Sequence, residues 1–522
     1  MSINPMKTIT TVIIVLFVFS MNIFSQVGYS PRIDSISNLV TLQTLSKLNR
    51  ELCGDTSTII GGVPYTIVSR HSNSVHNPKA AQFIYERFQS YGLTARYMNY
   101  RTNGQNVIAT KIGTKYPNQY YIICGHYDNM PSGSLAPGAD DNASGTCAVM
   151  EAARLLAPFS FDYTLVFVAF DEEEQGLIGS RAYADSSYNR GDSIKGVLNF
   201  DMIAWDSNND YKLNLFTNSA SANFTNITKL AYNIYQPILV PVVSVGNMSS
   251  SDHYYFWQRG YNAYCGIELM SDFHPFYHTV NDNFANIKMP YFLKFTQASL
   301  AALMTYGWNY TINFNHTPIS GTSDTGPRTA VVTINSPYAI KKITNGPRLY
   351  YRVNGGAFTS LNYVYNNLDT FRFTIPGQSV GANVEYYFAA QDSLANFVGT
   401  LPVGGKGLNP PGSVAPSTFL QYTVLTGIAS NNEPAEFNLG QNFPNPFNPI
   451  TNIEFKIGKQ SHVRLIVSDL IGRESVELVN DTYQQGIYNA VFEGKKYSSG
   501  IYFYTIYIDG LAVETKKMML IK

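Results

Sequence analysis

Two adjacent carboxylates, Asp140 and Asp141, lie between small residues just ahead of a helix-like run. With little water around them, the two groups repel each other unless a cation lies between them. A metal site is therefore one interpretation of this stretch. The more common structure for an isolated Asp-Asp-Asn sequence is a turn in which Asn142 caps the following helix.

Four further segments between residues 120 and 283 carry side chains that bind metals. They are His126 and Asp128 after the strand-like run 120–124, the acidic run 171–174 after 163–170, Asp201 after 196–200, and His278 in a later loop. Ligands of open α/β sheets bind at the carboxyl ends of the strands, and three of the four segments follow a strand. Each segment alone fits an ordinary role, such as a structural histidine or a solvated turn. Together they favour one shared site.

The elements that must position these residues alternate between two patterns. Helices are predicted over 36–52, 77–91, 146–156, 223–235 and 290–306, with another beginning at 180; strands are predicted over 107–112, 120–124, 163–170, 196–200, 213–217 and 263–267. Such alternation predicts a mostly parallel, mixed sheet covered by helices on both faces, which is a three-layer αβα sandwich. We expect this domain to span residues 30–309.

The later part of the chain changes to β patterns. Strands predicted over 329–334, 348–353, 370–375 and 384–391 indicate a β-sandwich spacer of the immunoglobulin or fibronectin type over 310–425, with 401–416 as a long loop. A linker is expected at 426–435. A last module, 436–522, opens on a proline-rich segment (442–449) and continues with strands over 451–457, 463–468, 489–493, 500–508 and 511–520. The class is therefore α/β followed by two all-β sandwich modules.

Composition and the N-terminus indicate an exported protein. The 522 residues include 36 basic and 36 acidic ones, a balance that argues against a nucleic-acid partner. Lys7 precedes the apolar run 12–19, so residues 1–25 are predicted to be a signal peptide cleaved near Ser25. No later run is long enough for a membrane span in the mature chain. The four cysteines lack a metal or disulfide spacing and are expected to be core thiols, although their pairing stays open.

Six motifs carry a family resemblance. GHYD (125–128), GADDNASG (138–145), DEEEQGLIGS (171–180), NFDM (199–202), SDH (251–253) and YHTVNDN (277–283) resemble, in order and spacing, the M28 family of zinc metallopeptidases, the di-zinc aminopeptidase group. The resemblance covers roughly residues 35–309. It implies a zinc exopeptidase-like fold and a site that binds two Zn²⁺ ions.

The same resemblance implies a role for each site residue. Asp141 would bridge the two ions; His126 and Asp201 would complete one metal, and Glu174 and His278 the other. Glu173 would be the general base, and Asp128 would hold the second nitrogen of His126. Residues 251–253 would help to line the substrate pocket, with a helix N-cap as an equal alternative.

The chemistry implied by these residues is peptide hydrolysis. Nitrogen and oxygen ligands with a bridging carboxylate suit a pair of zinc ions that retains a water position, although cobalt or manganese would also fit. A metal-bridged hydroxide would attack the peptide carbonyl while Glu173 takes up the proton and returns it to the leaving amine. Because the metals would also anchor a free α-amino group, the expected substrates are peptides with a free N-terminus, and the expected activity is that of an aminopeptidase.

The last module resembles the type A sorting domain of the type IX secretion system of Bacteroidetes-like bacteria. The resemblance rests on NPFNP (445–449), SDLIGR (468–473), SGIY (499–502) and the Lys516-Lys517 ending. It implies the type IX secretion machinery as a partner, and a secreted or cell-surface location. A small adhesive β-sandwich is the alternative.

Two other functions compete with the peptidase. A glutaminyl-peptide cyclase-like acyltransferase has a similar fold but normally binds one zinc ion. A non-catalytic surface-binding protein on a peptidase fold is the second alternative. The full ligand set for two metals and the presence of Glu173 favour the exopeptidase.

Overall fold

The computed structural model describes residues 26–394, 396–425, 437–469 and 473–522. The predicted signal peptide, the predicted linker and residues 470–472 of the SDLIGR motif lie outside this part of the chain. The chain divides into two compact units, Met1–Thr426 and Gly427–Lys522. None of the helices in the described part is long and apolar enough to cross a membrane.

The described residues before 310 contain eleven strands and eight α-helices. The strands are β1 (Gln26–Val27), β2 (Thr58–Ile60), β3 (Val63–Tyr65), β4 (Thr94–Asn99), β5 (Gln105–Lys111), β6 (Tyr116–His126), β7 (Tyr163–Phe170), β8 (Ser193–Phe200), β9 (Lys212–Thr217), β10 (Val240–Val245) and β11 (Ala263–Glu268). The helices are α1 (Pro31–Ser37), α2 (Leu42–Leu52), α3 (Asn77–Ser90), α4 (Ala143–Leu156), α5 (Ile178–Arg190), α6 (Ala222–Tyr235), α7 (His253–Gln258) and α8 (Met289–Gly307). Short 3₁₀ helices lie at Met270–Asp272 and Phe284–Asn286.

Eight of these strands form one mixed sheet in the order β10-β9-β11-β8-β6-β7-β5-β4. The four central strands, β11, β8, β6 and β7, run parallel to one another. Strand β5 runs antiparallel to β7, and β9 runs antiparallel to β11. The predicted α/β class with a mostly parallel, mixed sheet is confirmed.

Side-chain alternation along the central strands explains why helices cover both faces. On β7, Leu165 and Phe167 belong to the apolar core that includes α4, α6 and α8, whereas Val166 and Val168 belong to a second core with α5 and α7. Successive strand residues point to opposite faces of the sheet. A strand that is apolar at every position must therefore be covered by helices on both faces.

Several element boundaries differ from the prediction. The predicted helix 36–52 is two helices, α1 and α2, and Thr41 and Thr44 form a capping box that begins α2. The edge strands β4 and β10 were not predicted. Their side chains are mostly half-buried or exposed, so they lack the continuous apolar pattern of the central strands.

Residues 311–423 form two larger antiparallel sheets, one of which includes β1, and a separate two-stranded hairpin. Their strands are β12 (Thr311–Asn315), β13 (Arg328–Asn335), β14 (Arg348–Val353), β15 (Thr359–Asn362), β16 (Tyr365–Asn367), β17 (Thr370–Ile375), β18 (Asn383–Gln391), β19 (Val398–Leu401), β20 (Lys406–Leu408), β21 (Pro411–Val414) and β22 (Leu420–Thr423). One sheet has the order β1-β12-β13-β17-β16, and the other joins β15, β14, β18, β19 and β22. The predicted loop at 401–416 contains the hairpin β20–β21.

The β-sandwich shares its apolar core with the α/β sheet. Tyr310 stacks on Phe397 with the ring centroids 5.0 Å apart, and both belong to the core that includes α4 and α8. The hydroxyl of Tyr338 donates to Asp162 Oδ2 at 2.8 Å. Strand β1, at the start of the described chain, pairs with β12 of the sandwich. Residues 310–425 are therefore packed against the α/β part as one unit.

The second unit is an all-β module. Its strands are β23 (Asn438–Leu439), β24 (Ile450–Ile457), β25 (Ser461–Ser468), β26 (Glu474–Tyr483), β27 (Gly486–Glu493), β28 (Gly500–Ile508) and β29 (Leu511–Leu520), with a 3₁₀ turn at Gly494–Lys496. They form sheets with the orders β23-β24-β27 and β26-β25-β28-β29. Strand β26 was not predicted.

Replacing Phe397 by Ala tests whether the sandwich supports the α/β part. Phe397 is fully buried, and truncation of such a ring costs about 3–5 kcal/mol. We expect urea unfolding, followed by circular dichroism of both helices and strands, to shift to lower denaturant in one common transition. Leu394, which is 70% exposed, is the control, and Leu394→Ala should change stability by less than about 0.5 kcal/mol. Two separate transitions in the Phe397→Ala protein would contradict the shared core.

Candidate metal centre

The carboxyl ends of three adjacent strands meet at the centre. His126 is the last residue of β6, Asp201 directly follows β8, and Glu173 and Glu174 lie just beyond the end of β7. Because β6 pairs in parallel with both β7 and β8, these ends lie at one edge of the sheet. His126 Nε2 lies 3.3 Å from Asp201 Oδ1.

Asp141 lies between the two imidazoles. Its Oδ1 is 3.5 Å from His126 Nε2, and its Oδ2 is 3.2 Å from His278 Nε2. Glu174 Oε2 is 2.9 Å from the same nitrogen of His278. The structure thus brings all five predicted ligands together, and the two oxygens of Asp141 face different histidines.

Glu173 lies within the same cluster. One ligand atom each from His126, Glu173 and Asp201 can be chosen so that all three lie within 4.8 Å of one another, and the same holds for His126, Asp141 and Glu174. Glu173 is therefore close enough to the predicted ligands to be either a base or a ligand. Its side chain is almost fully buried.

Asp128 makes contacts that differ in part from the prediction. His126 Nδ1 donates to the main-chain carbonyl of Asp128 at 3.1 Å, and the carboxylate is farther from that nitrogen, at 3.5 Å. The carboxylate instead accepts the backbone N–H groups of Glu173 (3.1 Å) and Glu174 (3.2 Å). Asp128 thereby fixes the two glutamates as well as the imidazole, a role that the sequence did not reveal.

Asn142 caps α4, as the turn interpretation of the acidic stretch predicts. Its Oδ1 accepts the N–H of Gly145 at 2.8 Å, and its Nδ2 donates to the carbonyl of Phe200 at 2.8 Å. A capped helix and a clustered carboxylate are thus compatible in one segment. Asn142 also connects the start of α4 to the end of β8.

Residues 251–253 lie next to the cluster and do not act as a cap. Asp252 precedes α7 but makes no capping hydrogen bond, and both of its carboxylate oxygens are buried without a hydrogen-bond partner. Ser251 Oγ accepts from Asn199 Nδ2 at 2.7 Å. His253 Nε2 donates to the Met248 carbonyl at 3.1 Å.

The centre concentrates negative charge in a buried place. Burial raises the pKa of Glu173 well above its usual value, and burial together with the nearby charge of Asp141 raises that of Glu174 to about 8. Burial lowers the pKa of His278, but the close carboxylates of Asp141 and Glu174 outweigh this and raise it to about 10.

Several atoms of the cluster lack a hydrogen-bond partner. Asp141 Oδ2, Glu174 Oε1 and His278 Nε2 are buried and unsatisfied. Buried polar atoms are normally paired, so orphaned carboxylate oxygens beside imidazole nitrogens fit a bound cation. The donor set of carboxylates and imidazoles without thiolates suits zinc.

Fold and site together define an α/β protein with a candidate metal centre at the carboxyl edge of its sheet. Residues 106–303 match peptidase family M28, and residues 441–522 match a secretion system C-terminal sorting domain. The predicted resemblance to both is confirmed over these segments.

Individual relatives match over limited lengths. A probable zinc metalloprotease of Pyricularia oryzae is 43% identical over 103 residues, which are 19% of this chain and 20% of that protein. Aminopeptidase YwaD of Bacillus subtilis is 30% identical over 191 residues, 35% of this chain and 40% of that protein. The crystal structure of LapB from Legionella pneumophila aligns with a TM-score of 0.47 and 21% identity over 53% of this chain and 75% of that one. The chain thus spans only a fifth to two fifths of these two sequence relatives.

Addition of Zn²⁺ to metal-stripped protein tests the candidate centre. An ion that binds only the folded state stabilises it by about 2.7 kcal/mol at a hundredfold excess over its dissociation constant. We therefore expect the melting temperature to rise by several degrees, measured by calorimetry. Asp141→Asn should lose most of the shift. An equal shift in that variant would place the binding elsewhere.

Proposed function

We propose that the α/β part is a di-zinc exopeptidase that acts as an aminopeptidase. The observation that carries this proposal is the position of Asp141, whose two carboxylate oxygens face His126 and His278 separately. This arrangement suits a carboxylate that bridges two metal ions with one oxygen on each. The match of residues 106–303 to a peptidase family supports hydrolysis of peptide bonds.

In this proposal each residue of the cluster has a defined role. Asp141 bridges the two ions, His126 and Asp201 bind one of them, and Glu174 and His278 bind the other. Glu173 remains the general base. Asp128 orients His126 through its carbonyl and holds the glutamates through its carboxylate.

Glu173 is suited to move a proton. Bound zinc ions would polarise the peptide carbonyl and lower the pKa of a water molecule. Burial raises the pKa of Glu173, so its carboxylate is a stronger base than an exposed one. Glu173 accepts the proton of the attacking water and donates it to the leaving amine. A well-placed acid or base contributes roughly 10²–10⁴-fold to the rate.

A free α-amino group is the expected feature of the substrate. Its nitrogen lone pair is a further ligand for zinc, which would place the first peptide bond at the centre. The similarity to a protein named aminopeptidase YwaD supports this preference. The cyclase-like alternative, which expects one zinc ion, leaves the second imidazole beside Asp141 without a use.

Export follows from the second unit. The match of residues 441–522 to a secretion system sorting domain supports delivery to the cell surface or the exterior. We propose the type IX pathway, with the predicted signal peptide for the first step. Peptides outside the cell are then the available substrates.

Hydrolysis of aminoacyl-nitroanilides tests the activity. Purified mature protein should cleave free-amine substrates but not their N-acetylated analogues, and activity should vanish on chelation and return with Zn²⁺. Cleavage of the blocked analogues would contradict the aminopeptidase assignment. No cleavage of either, with two zinc ions bound, would favour the cyclase or the non-catalytic protein.

The same assay tests Glu173. Glu173→Gln should lower kcat by at least about 10²-fold because the amide cannot accept the proton, while two zinc ions remain bound. Glu174→Gln is the contrasting variant, and its protein should retain fewer ions by elemental analysis. Unchanged turnover in Glu173→Gln, or loss of metal from that variant alone, would exclude the base assignment.

Removal of the second unit tests export. A chain ending at residue 426 should accumulate inside the cell envelope of a host that has type IX secretion, whereas the full chain reaches the medium or the surface. Because residues 1–426 form a compact unit of their own, the truncated enzyme should keep its nitroanilide activity in lysates. Equal export of both chains would contradict the sorting role.

A further inference from the structure

We propose that Arg70 and Asp282 are positioning residues that hold residues 137–141, one through carbonyl groups and the other through amides, and so fix the carboxylate of Asp141. The proposal deepens the proposed function, because it rests on Asp141 as the bridge between two metals. Neither residue has a metal-ligating place in the cluster. Both act through the main chain.

Arg70 binds main-chain carbonyl groups of the segment. Its guanidinium is fully buried and donates to the carbonyls of Pro137 (2.6 Å) and Gly138 (2.7 Å). Further bonds go to the carbonyls of Tyr127 (2.7 Å) and Leu52 (2.8 Å). Arg70 therefore connects the segment before Asp141 to the loop that follows β6 and His126.

Asp282 binds backbone amides of the same segment. Its carboxylate is buried, and its two oxygens accept the N–H groups of Asp140 and Asp141, each at 2.9 Å. Its own carbonyl accepts the N–H of Ala139 at 3.0 Å. Asp282 lies four residues after His278, so the loop that carries one predicted ligand also orients the bridging residue.

The peptide groups of residues 137–141 have little conformational freedom. The carbonyl of Ala139 accepts from Asn49 Nδ2 at 2.7 Å, so successive peptide groups are bonded by side chains from three distant parts of the chain. Gly138 has a φ of +50°, and an added Cβ would lie 2.2 Å from the carbonyl oxygen of Asp141. Only glycine permits this path.

The guanidinium of Arg70 and the carboxylate of Asp282 each bind the main chain of residues 137–141 through a side chain that can carry charge, which strengthens these hydrogen bonds. Hydrogen bonds to an ionised partner are roughly twice as strong as neutral ones, and a guanidinium can bind two carbonyls at once in a fixed geometry. Reactive groups must be held to within about 0.5 Å, and residues that orient metal ligands typically contribute 10–100-fold to affinity or activity. A shift of Asp141 would act on both imidazoles at the same time.

The test uses Asp282→Asn and Arg70→Lys in the full chain. Asn turns an acceptor oxygen into an NH₂ group that faces a backbone N–H, and Lys keeps the charge but lacks the fork. We expect kcat on the best nitroanilide to fall 10–100-fold with KM nearly unchanged. We also expect the Co²⁺-substituted protein to show an altered d–d absorption spectrum and weaker binding of both ions, because Asp141 is the proposed bridge between them.

Asp272→Asn is the matched control. Asp272 also accepts a backbone N–H, that of Ser207 at 2.7 Å, but lies outside the cluster and close to the surface. This variant should keep the wild-type kcat and cobalt spectrum. A purely structural role of Arg70 and Asp282 would reduce activity only in proportion to the unfolded fraction, with a normal spectrum in the folded protein, and would overturn the proposal.

Asn49→Ala provides a milder variant if Arg70→Lys does not fold. It removes one bond to the segment without changing its charge, so a smaller fall in kcat is expected; an unchanged kcat together with an unchanged spectrum in the folded Asp282→Asn protein would overturn the proposal. Failure of the proposed function is distinct from this result, since the wild-type protein itself would then not cleave the nitroanilides.

Discussion

The central constraint on this protein is the burial of several carboxylates at one edge of a sheet. Asp141, Glu173 and Asp201 are each at most 9% exposed, and the imidazoles of His126 and His278 lie close to this group of acids. Unpaired buried charges are costly, and a like charge nearby adds to that cost. A cation bound among them removes both penalties, so the function proposed for the centre and the stability of its geometry depend on the same interaction.

Two further carboxylates, those of Asp128 and Asp282, hold the acidic segments of the cluster in the same way. Asp128, two residues after His126, accepts the N–H groups of Glu173 and Glu174. Asp282, four residues after His278, accepts those of Asp140 and Asp141. In both cases a histidine-bearing segment holds an acid-bearing segment through two consecutive amides. The geometry of the cluster therefore depends on the carboxylates of Asp128 and Asp282, which bind its main chain.

The β-sandwich takes part in the same unit through its packing. The ring of Phe397 stacks on Tyr310, just beyond the last helix of the α/β part, and strand β1 crosses back to pair with β12. Because the core is continuous, the sandwich is part of what holds the sheet, which is more than the expected spacer role. The second unit has a separate core of its own.

The sequence by itself determined the features that depend on local pattern. Strongly apolar strands such as β7 and β11 were predictable because their side chains are buried on both faces, and Asn142 was recognisable as a cap. The residues of the cluster were predictable because each belongs to a motif, and His126, Glu173, Glu174 and Asp201 also lie at or just after the end of a strand.

Only the tertiary structure decided what depends on distant contacts. Edge strands β4 and β10 carry a weak pattern because solvent covers part of them. Arg70 looks like an ordinary surface residue in the sequence, yet it is buried by bonds to a segment 67 and 68 residues away. Asp282 contacts residues more than 140 positions earlier. Such contacts leave no periodicity or characteristic spacing in the sequence. They arise because folding brings distant polar groups together, and buried main-chain groups must then form hydrogen bonds.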